Sequence, residues 1–208
     1  MPSPAAKRAL DVTVAAALLL VTAPVFVVAL ALGVVGMLRD SGDRGPLLYR
    51  ERRISAGREF DLLKFRTLRR DAVARVRAEG SYARLAEADE ANLTWSGRIL
   101  KRRYLDELPQ LLNVLRGDLS LVGPRPWPVP MVVAQREEGL DYRDHVLAGL
   151  TGPAQVRKDS DLPVRGSDLD LEYVERLRTL SPARLLATDL AILAATVRLL
   201  ARGEGLRF

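Results

Sequence analysis

Asp106 and Glu107 are adjacent carboxylates in a cationic neighbourhood. Lys101-Arg102-Arg103 comes just before them, and Pro124-Arg125-Pro126 follows. The spacing predicts a helix from about Asp106 to Leu115, stopping at Gly117 as its C′ glycine. At the start of such a helix the dipole favours negative charge and phosphate. One carboxylate could then attack a phosphorus atom while the other holds a metal or moves a proton. An Asp-Glu dipeptide by itself is usually no more than a solvated helix start. The residues around this pair decide how it is read.

Several elements must position the pair. Pro46–Arg50 and Glu59–Thr67 read as two short strands joined by a turn at Ser55-Ala-Gly57. Leu68–Glu79 reads as a helix, Gly80–Trp95 as an acidic, aperiodic mobile loop, and Ser96–Arg103 as a short helix. Pro109 falls in the first turn of the predicted 106–115 helix, where a missing N–H costs little. Beyond it the sequence predicts a strand at Ser120–Val122, a helix at Val129–Glu138, and a turn followed by a strand over Leu150–Val156. Helices follow at Ser167–Thr179 and after Ser181-Pro182, where Ser is the N-cap and Pro the N1 residue. The last helix alternates Leu185, Leu186, Leu190, Leu193, Val197 and Leu200 with Arg184, Arg198 and Arg202. It suits either a membrane interface or the domain core.

The chain has 208 residues, with 32 Lys and Arg against 26 Asp and Glu, for a net charge of +6. That length supports one sizeable domain with an appended segment. The charge favours anionic partners. Aromatic residues make up only 5% of the chain, and there is no helix-turn-helix, RNP or zinc signature, so nucleic acid is not an expected partner. The absence of cysteine excludes disulfides and thiolate-bound zinc. The single histidine, His145, reads as an ordinary surface residue.

Val12–Leu38 carries no charge and is flanked by Lys7, Arg8 and Asp11 on one side and by Arg39 and Asp40 on the other. As a straight helix it would reach roughly 40 Å, enough to cross a bilayer. Pro24 near its middle removes a backbone donor and predicts a kink. Three readings stand on the pattern: a spanning helix, a re-entrant helix with both ends on one face, and a signal peptide cleaved near Ala29-Leu30-Ala31. The apolar run continues past that cleavage site to Leu38, which weakens the third. Cations flank both ends and leave the orientation open.

These features occur together in one chain: the apolar N-terminal run, Lys64-Phe-Arg-Thr67, Asp106-Glu-Leu-Pro-Gln-Leu111, and Leu115-Arg-Gly-Asp-Leu-Ser-Leu-Val-Gly-Pro-Arg-Pro126. In this combination the chain resembles the bacterial sugar transferases of the monotopic phosphoglycosyl transferase family, in their minimal form, over nearly its whole length. The resemblance implies a mixed α/β, mainly helical fold. Residues 1–40 would form a re-entrant membrane helix-break-helix. Residues 41–208 would form a small catalytic domain with short strands and interfacial amphipathic helices. It implies placement in the inner leaflet of the bacterial cytoplasmic membrane, with the active site facing the cytoplasm.

The implied reaction moves a phospho-sugar from a nucleoside diphosphate sugar, usually a UDP-sugar, to polyprenyl phosphate, with release of UMP. The implied roles are Asp106 as nucleophile and Glu107 as the residue that helps hold Mg²⁺, with Asp106 beside it. Lys64, Arg66, Lys101 and Arg125 are implied phosphate contacts, and Asp170 matches a family acidic position. The alternative is a catalytically silent membrane-bound interaction protein that keeps the fold. Three departures from the family pattern stand out. Ala23-Pro24 replaces Ser-Pro at the membrane break, with Thr22 as a neighbouring hydroxyl. Leu147-Ala-Gly-Leu-Thr-Gly-Pro153 replaces Arg-Pro-Gly-Ile-Thr-Gly-Trp. Lys101 replaces Arg, a point charge in place of a bidentate fork.

Overall fold

A computed structural model describes residues 4–80, 82–157 and 166–202. The fold is mainly helical with two small sheets. The chain divides into two compact units. One holds residues 1–16, 52–60 and 113–208, the other residues 17–51 and 61–112.

Helix α1 (Ala5–Arg39) contains the whole apolar run. It is the one described helix long and apolar enough to cross a membrane. It stays helical through Pro24, so the expected break is a single missing donor within a continuous element. Thr22 Oγ1 donates to the carbonyl of Leu18, at 2.7 Å. The carbonyl that Pro24 frees, four residues back, is that of Leu20, so Thr22 does not compensate for it. Leu20, Val21, Val27 and Val28 are exposed.

In the first unit, α1 is held by charges taken out of water. The Lys7 ammonium donates to Asp189 Oδ2 at 2.7 Å and to the Val122 carbonyl at 2.9 Å. Tyr173 donates to Asp189 Oδ1, and Asp11 accepts from the Leu121 amide. These partners lie on α8 (Gly166–Thr179), α9 (Pro182–Ala201) and strand β3 (Ser120–Val122). The Arg8 guanidinium donates to the Val114 and Leu115 carbonyls, near the end of α5 (Gln110–Arg116). Gly117, with φ +91°, ends that helix as expected.

β3 pairs in parallel with β4 (Gly149–Thr151), in the register Ser120 to Gly149 and Val122 to Thr151. A Cβ on Gly149 would stand 2.1 Å from the Gly123 nitrogen, so only glycine fits there. The crossover between these strands carries α6 (Val129–Glu137). The strand expected at the end of 150–156 comes first instead. After β4, Pro153 starts the short helix α7 (Pro153–Val156), because a proline at N1 suits a helix start better than a ladder. On α9, Leu185, Asp189 and Ile192 face inward at helical spacing, while Leu190, Val197 and Leu200 are exposed. The helix therefore meets the core with one face and keeps a second apolar surface outside.

Strands β1 (Leu48–Ser55) and β2 (Arg58–Phe65) form a hairpin. Ala56 (φ +49°) and Gly57 (φ +73°) close it with the two positive φ values of a type I′ turn.

In the second unit, α2 (Arg70–Ala78) follows the hairpin. In the segment expected as a mobile loop, the described residues 82–95 are structured. The segment contains α3 (Ala83–Ala86) and a 3₁₀ turn at Glu90–Asn92, and it returns so that Leu93 pairs with Leu68. Leu68, Ala72, Val76, Ala83 and Leu93 form one apolar cluster, which supplies the burial that local periodicity did not reveal. Helix α4 (Trp95–Arg102) follows, capped by Thr94 Oγ1 on the Gly97 amide.

The buried Lys7–Asp189 pair makes a test of the first unit. Asp189→Ala leaves an uncompensated ammonium and is expected to cost about 3–5 kcal/mol. Thermal unfolding of the detergent-solubilised protein reads the loss. Lys7→Met with Asp189→Leu should recover much of it. A melting temperature unchanged by Asp189→Ala would show that the pair carries no stability.

Candidate active site

The carboxylate pair is not at the start of α5. Helix α4 ends at Arg102, and two residues on Tyr104 has a left-handed backbone (φ +56°, ψ 19°). Leu105–Glu107 then form a 3₁₀ turn, and Pro109 separates it from α5. α5 is only two turns long, so the dipole argument does not carry over. The turn is anchored by its flanks. Leu105 and Leu108 pack against Phe65, Leu100 and Ala29. Between these apolar anchors Asp106 is buried, at 5% exposure.

Glu107 is more open and accepts from Lys64 Nζ at 3.0 Å. Lys64 reaches it from β2, on the strand face opposite the buried Leu63 and Phe65. Burial raises the Asp106 carboxyl to about 7, with Glu107 and Glu87 adding to the rise and Lys64 opposing it.

Glu87 was not legible as a site residue, because it lay in the segment read as a loop. It follows α3 and accepts from Thr67 Oγ1 at 2.5 Å. Lys101 Nζ lies 2.7 Å from the Glu87 carbonyl and 3.4 Å from its Oε2. Lys64, Asp106 and Glu107 therefore form one group, with Lys101 joined to the neighbouring Glu87.

Arg66 is buried elsewhere in the same unit. It donates to the carbonyls of Pro46, Leu68 and Asp43. A guanidinium so committed fixes the backbone around it and has few donors left for a phosphate. Burial lowers its pKa, and Asp43 opposes the shift.

Arg125 and Asp170 belong to the first unit. Arg125 is half-buried between its two prolines. Asp170 on α8 is buried and accepts from Arg143 and from the Tyr142 hydroxyl, both at 3.1 Å. Burial lifts its carboxyl to about 6, with Arg143 and Tyr142 opposing. Arg143, which the sequence reading passed over, joins Asp170 to the Arg125 backbone. His145 is exposed and lies 3.1 Å from Asp141, consistent with a surface role.

Among the described residues no three His, Cys, Asp or Glu side chains form a metal cluster. The oxygen-only pair Asp106 and Glu107 still fits a hard cation of the Mg²⁺ type, which commonly takes one or two carboxylates and completes its shell with phosphate and water. Burial is the main cause that raises Asp106, and the Glu107 charge that adds to it is what such a cation would offset.

A family model described as bacterial sugar transferase matches residues 3–203. Over 154 residues the chain is 40% identical to the UDP-glucose:undecaprenyl-phosphate glucose-1-phosphate transferase of Caulobacter vibrioides, covering 73% of this chain and 53% of that protein. It is 36% identical over 180 residues to the undecaprenyl-phosphate glucose phosphotransferase of Komagataeibacter xylinus, covering 81% of this chain and 32% of that protein. It is 34% identical over 205 residues to the sugar transferase EpsL of Bacillus subtilis, covering 97% and 90%. The chain thus spans only part of the first two relatives and most of the third.

The Asp106 environment predicts an unusual pH dependence of stability. The ordinary carboxyl value is 3.8, and the folded value is about 7. The folded state binds the proton more tightly, so stability falls as pH rises through that interval. Asp106→Asn cannot ionise. In metal-free buffer at about pH 8 it is expected to melt several degrees above the unsubstituted protein, with the gap closing by about pH 4. Equal melting temperatures at both pH values would mean that Asp106 is not desolvated.

Proposed function

The chain belongs to the bacterial sugar transferase family, and from that premise we propose that it transfers a phospho-sugar from a UDP-sugar to polyprenyl phosphate, releasing UMP. The observation that carries the proposal is the buried Asp106 beside Glu107 and Lys64. The names of the Caulobacter and Komagataeibacter relatives support an undecaprenyl phosphate acceptor.

An Asp106 carboxylate oxygen attacks the phosphorus that bears the sugar. An Asp106 acyl phosphate forms as the bond from phosphorus to the UMP oxygen breaks, and UMP leaves with that electron pair. A phosphate oxygen of the polyprenyl acceptor then attacks the same phosphorus. Its new bond displaces the Asp106 carboxylate and gives a polyprenyl diphosphate sugar. Lys64 holds Glu107 in place and offsets negative charge at the turn. Lys101 and Arg125 are the cations assigned to substrate phosphates. Mg²⁺, held by Glu107 and Asp106 together with the diphosphate, would neutralise charge there.

The burial of Asp106 suits this chemistry. An anion stripped of water is a stronger nucleophile, and water that could hydrolyse the covalent intermediate is kept out. Incubating the protein with a panel of UDP-sugars, undecaprenyl phosphate and Mg²⁺ should release UMP from at least one. Asp106→Asn should lose at least about 99% of turnover. The unsubstituted protein should hold a phospho-sugar adduct when the acceptor is withheld. Excess chelator should abolish turnover and Mg²⁺ restore it. No UMP release from any UDP-sugar would favour the silent interaction protein. Turnover in Asp106→Asn would remove the nucleophile assignment.

For the membrane segment we infer a re-entrant path, with both ends of α1 at the cytoplasmic face. Pro24 and the family resemblance support it. The chain has no cysteine, so single cysteines at Ser3 and Ser41 are clean reporters. Both should react with a membrane-impermeant thiol reagent only after the cytoplasmic membrane is opened. Labelling of the Ser3 site alone in intact spheroplasts would mean that α1 spans.

A further inference from the structure

We propose that Arg143, oriented by Asp170, is a positioning residue that sets the Pro124-Arg125-Pro126 turn and through it the Arg125 side chain. The proposal rests on the assignment of Arg125 to a substrate phosphate. The turn has an unusual weakness. Pro124, Pro126 and Pro128 carry no N–H, so it cannot be tied down by its own donors at those positions. Its carbonyls are held from outside instead. Pro124 accepts from the Gly149 amide at 2.8 Å, Trp127 from the Ile54 amide at 3.1 Å, and Pro126 from Arg53 Nη1 at 3.3 Å. The Arg125 carbonyl accepts from Arg143 Nη1. Arg143 thus holds the turn at its central residue.

Arg143 is built for that task. It is buried, and its position is determined on every side. Nε donates to Gln135 Oε1 at 2.9 Å, and Nη2 donates to the Tyr142 hydroxyl at 2.9 Å and to Asp170 Oδ2 at 3.1 Å. The guanidinium carbon lies 4.2 Å from the centroid of the Trp127 ring, so the plane also meets the turn it holds. Tyr142 in turn donates to Asp170 Oδ2, which fixes the carboxylate that orients the fork. Asp170 thereby acts on the turn through Arg143. A lysine at this position has one point of charge in place of a planar fork and cannot satisfy these directions together.

A double-substitution cycle on the full chain in detergent tests this, with calorimetric affinity for UDP in the presence of Mg²⁺ as the readout. Arg143→Lys is expected to weaken UDP binding about tenfold. Arg125→Ala should weaken it by at least as much, and the double variant should bind no worse than Arg125→Ala alone. Asp170→Asn supplies the same cycle if Arg143→Lys does not fold. Thermal unfolding alongside separates lost binding from lost structure. UDP affinity unchanged in Arg143→Lys, or losses that multiply in the double variant, would overturn the proposal. If Arg125→Ala binds UDP normally, the phosphate assignment of Arg125 fails first and this inference falls with it, a result distinct from either of the others.

Discussion

Removing a charge from water costs several kcal/mol per ion, and in this protein buried charges sit at several points where distant parts of the sequence meet. The Lys7–Asp189 pair joins the first turns of the apolar helix to the last helix, 182 residues away. Neither group could stay buried without the other. The Val122 carbonyl and the Tyr173 hydroxyl complete their coordination, so β3 and α8 are drawn into the same arrangement. A long apolar helix without such a partner could slide or rotate against the protein beside it. This ammonium can only be buried in one register.

The same physics is used in the opposite sense at Asp106. Here the carboxylate is buried between apolar anchors with like charge nearby, and its partner Lys64 is bonded to Glu107 instead. The ionised state is therefore strained, as its raised pKa records. A structural carboxylate would be matched as Asp189 is matched. One whose charge is opposed by a neighbouring carboxylate is suited to chemistry at phosphorus, where incoming cations and substrate change the balance. Arg143 and Asp170 represent a third use, in which buried charge supplies rigid directions to a proline-rich turn that lacks donors of its own.

Much of this was legible in the sequence. The uncharged run from Val12 to Leu38, the hairpin turn at Ala56-Gly57, the C′ glycine at Gly117, the strand at Ser120–Val122 and the Ser181-Pro182 start of α9 all follow from local stereochemistry or from hydrophobic length, and each appears in place. The Asp-Glu-Leu-Pro-Gln block and its continuation to Pro126 likewise identified the family from residues alone.

Tertiary structure decided what local patterns do not encode. Gly80–Trp95 lacks periodicity because its short elements gain their burial from Leu68, Ala72 and Val76, outside the segment. Glu87 reaches the site for that reason alone. Asp106 and Glu107 were read as a helix start because capping rules consider only neighbours in sequence. The left-handed Tyr104 and the packing of Leu105 and Leu108 turn them into a separate 3₁₀ turn. Lys64 and Arg66 are equivalent by composition, two cations two residues apart in the sequence. One meets a carboxylate and the other three backbone carbonyls, and only the folded chain could distinguish them. Residue types set which charges the protein would have to bury. Their partners depended on contacts made across the whole chain.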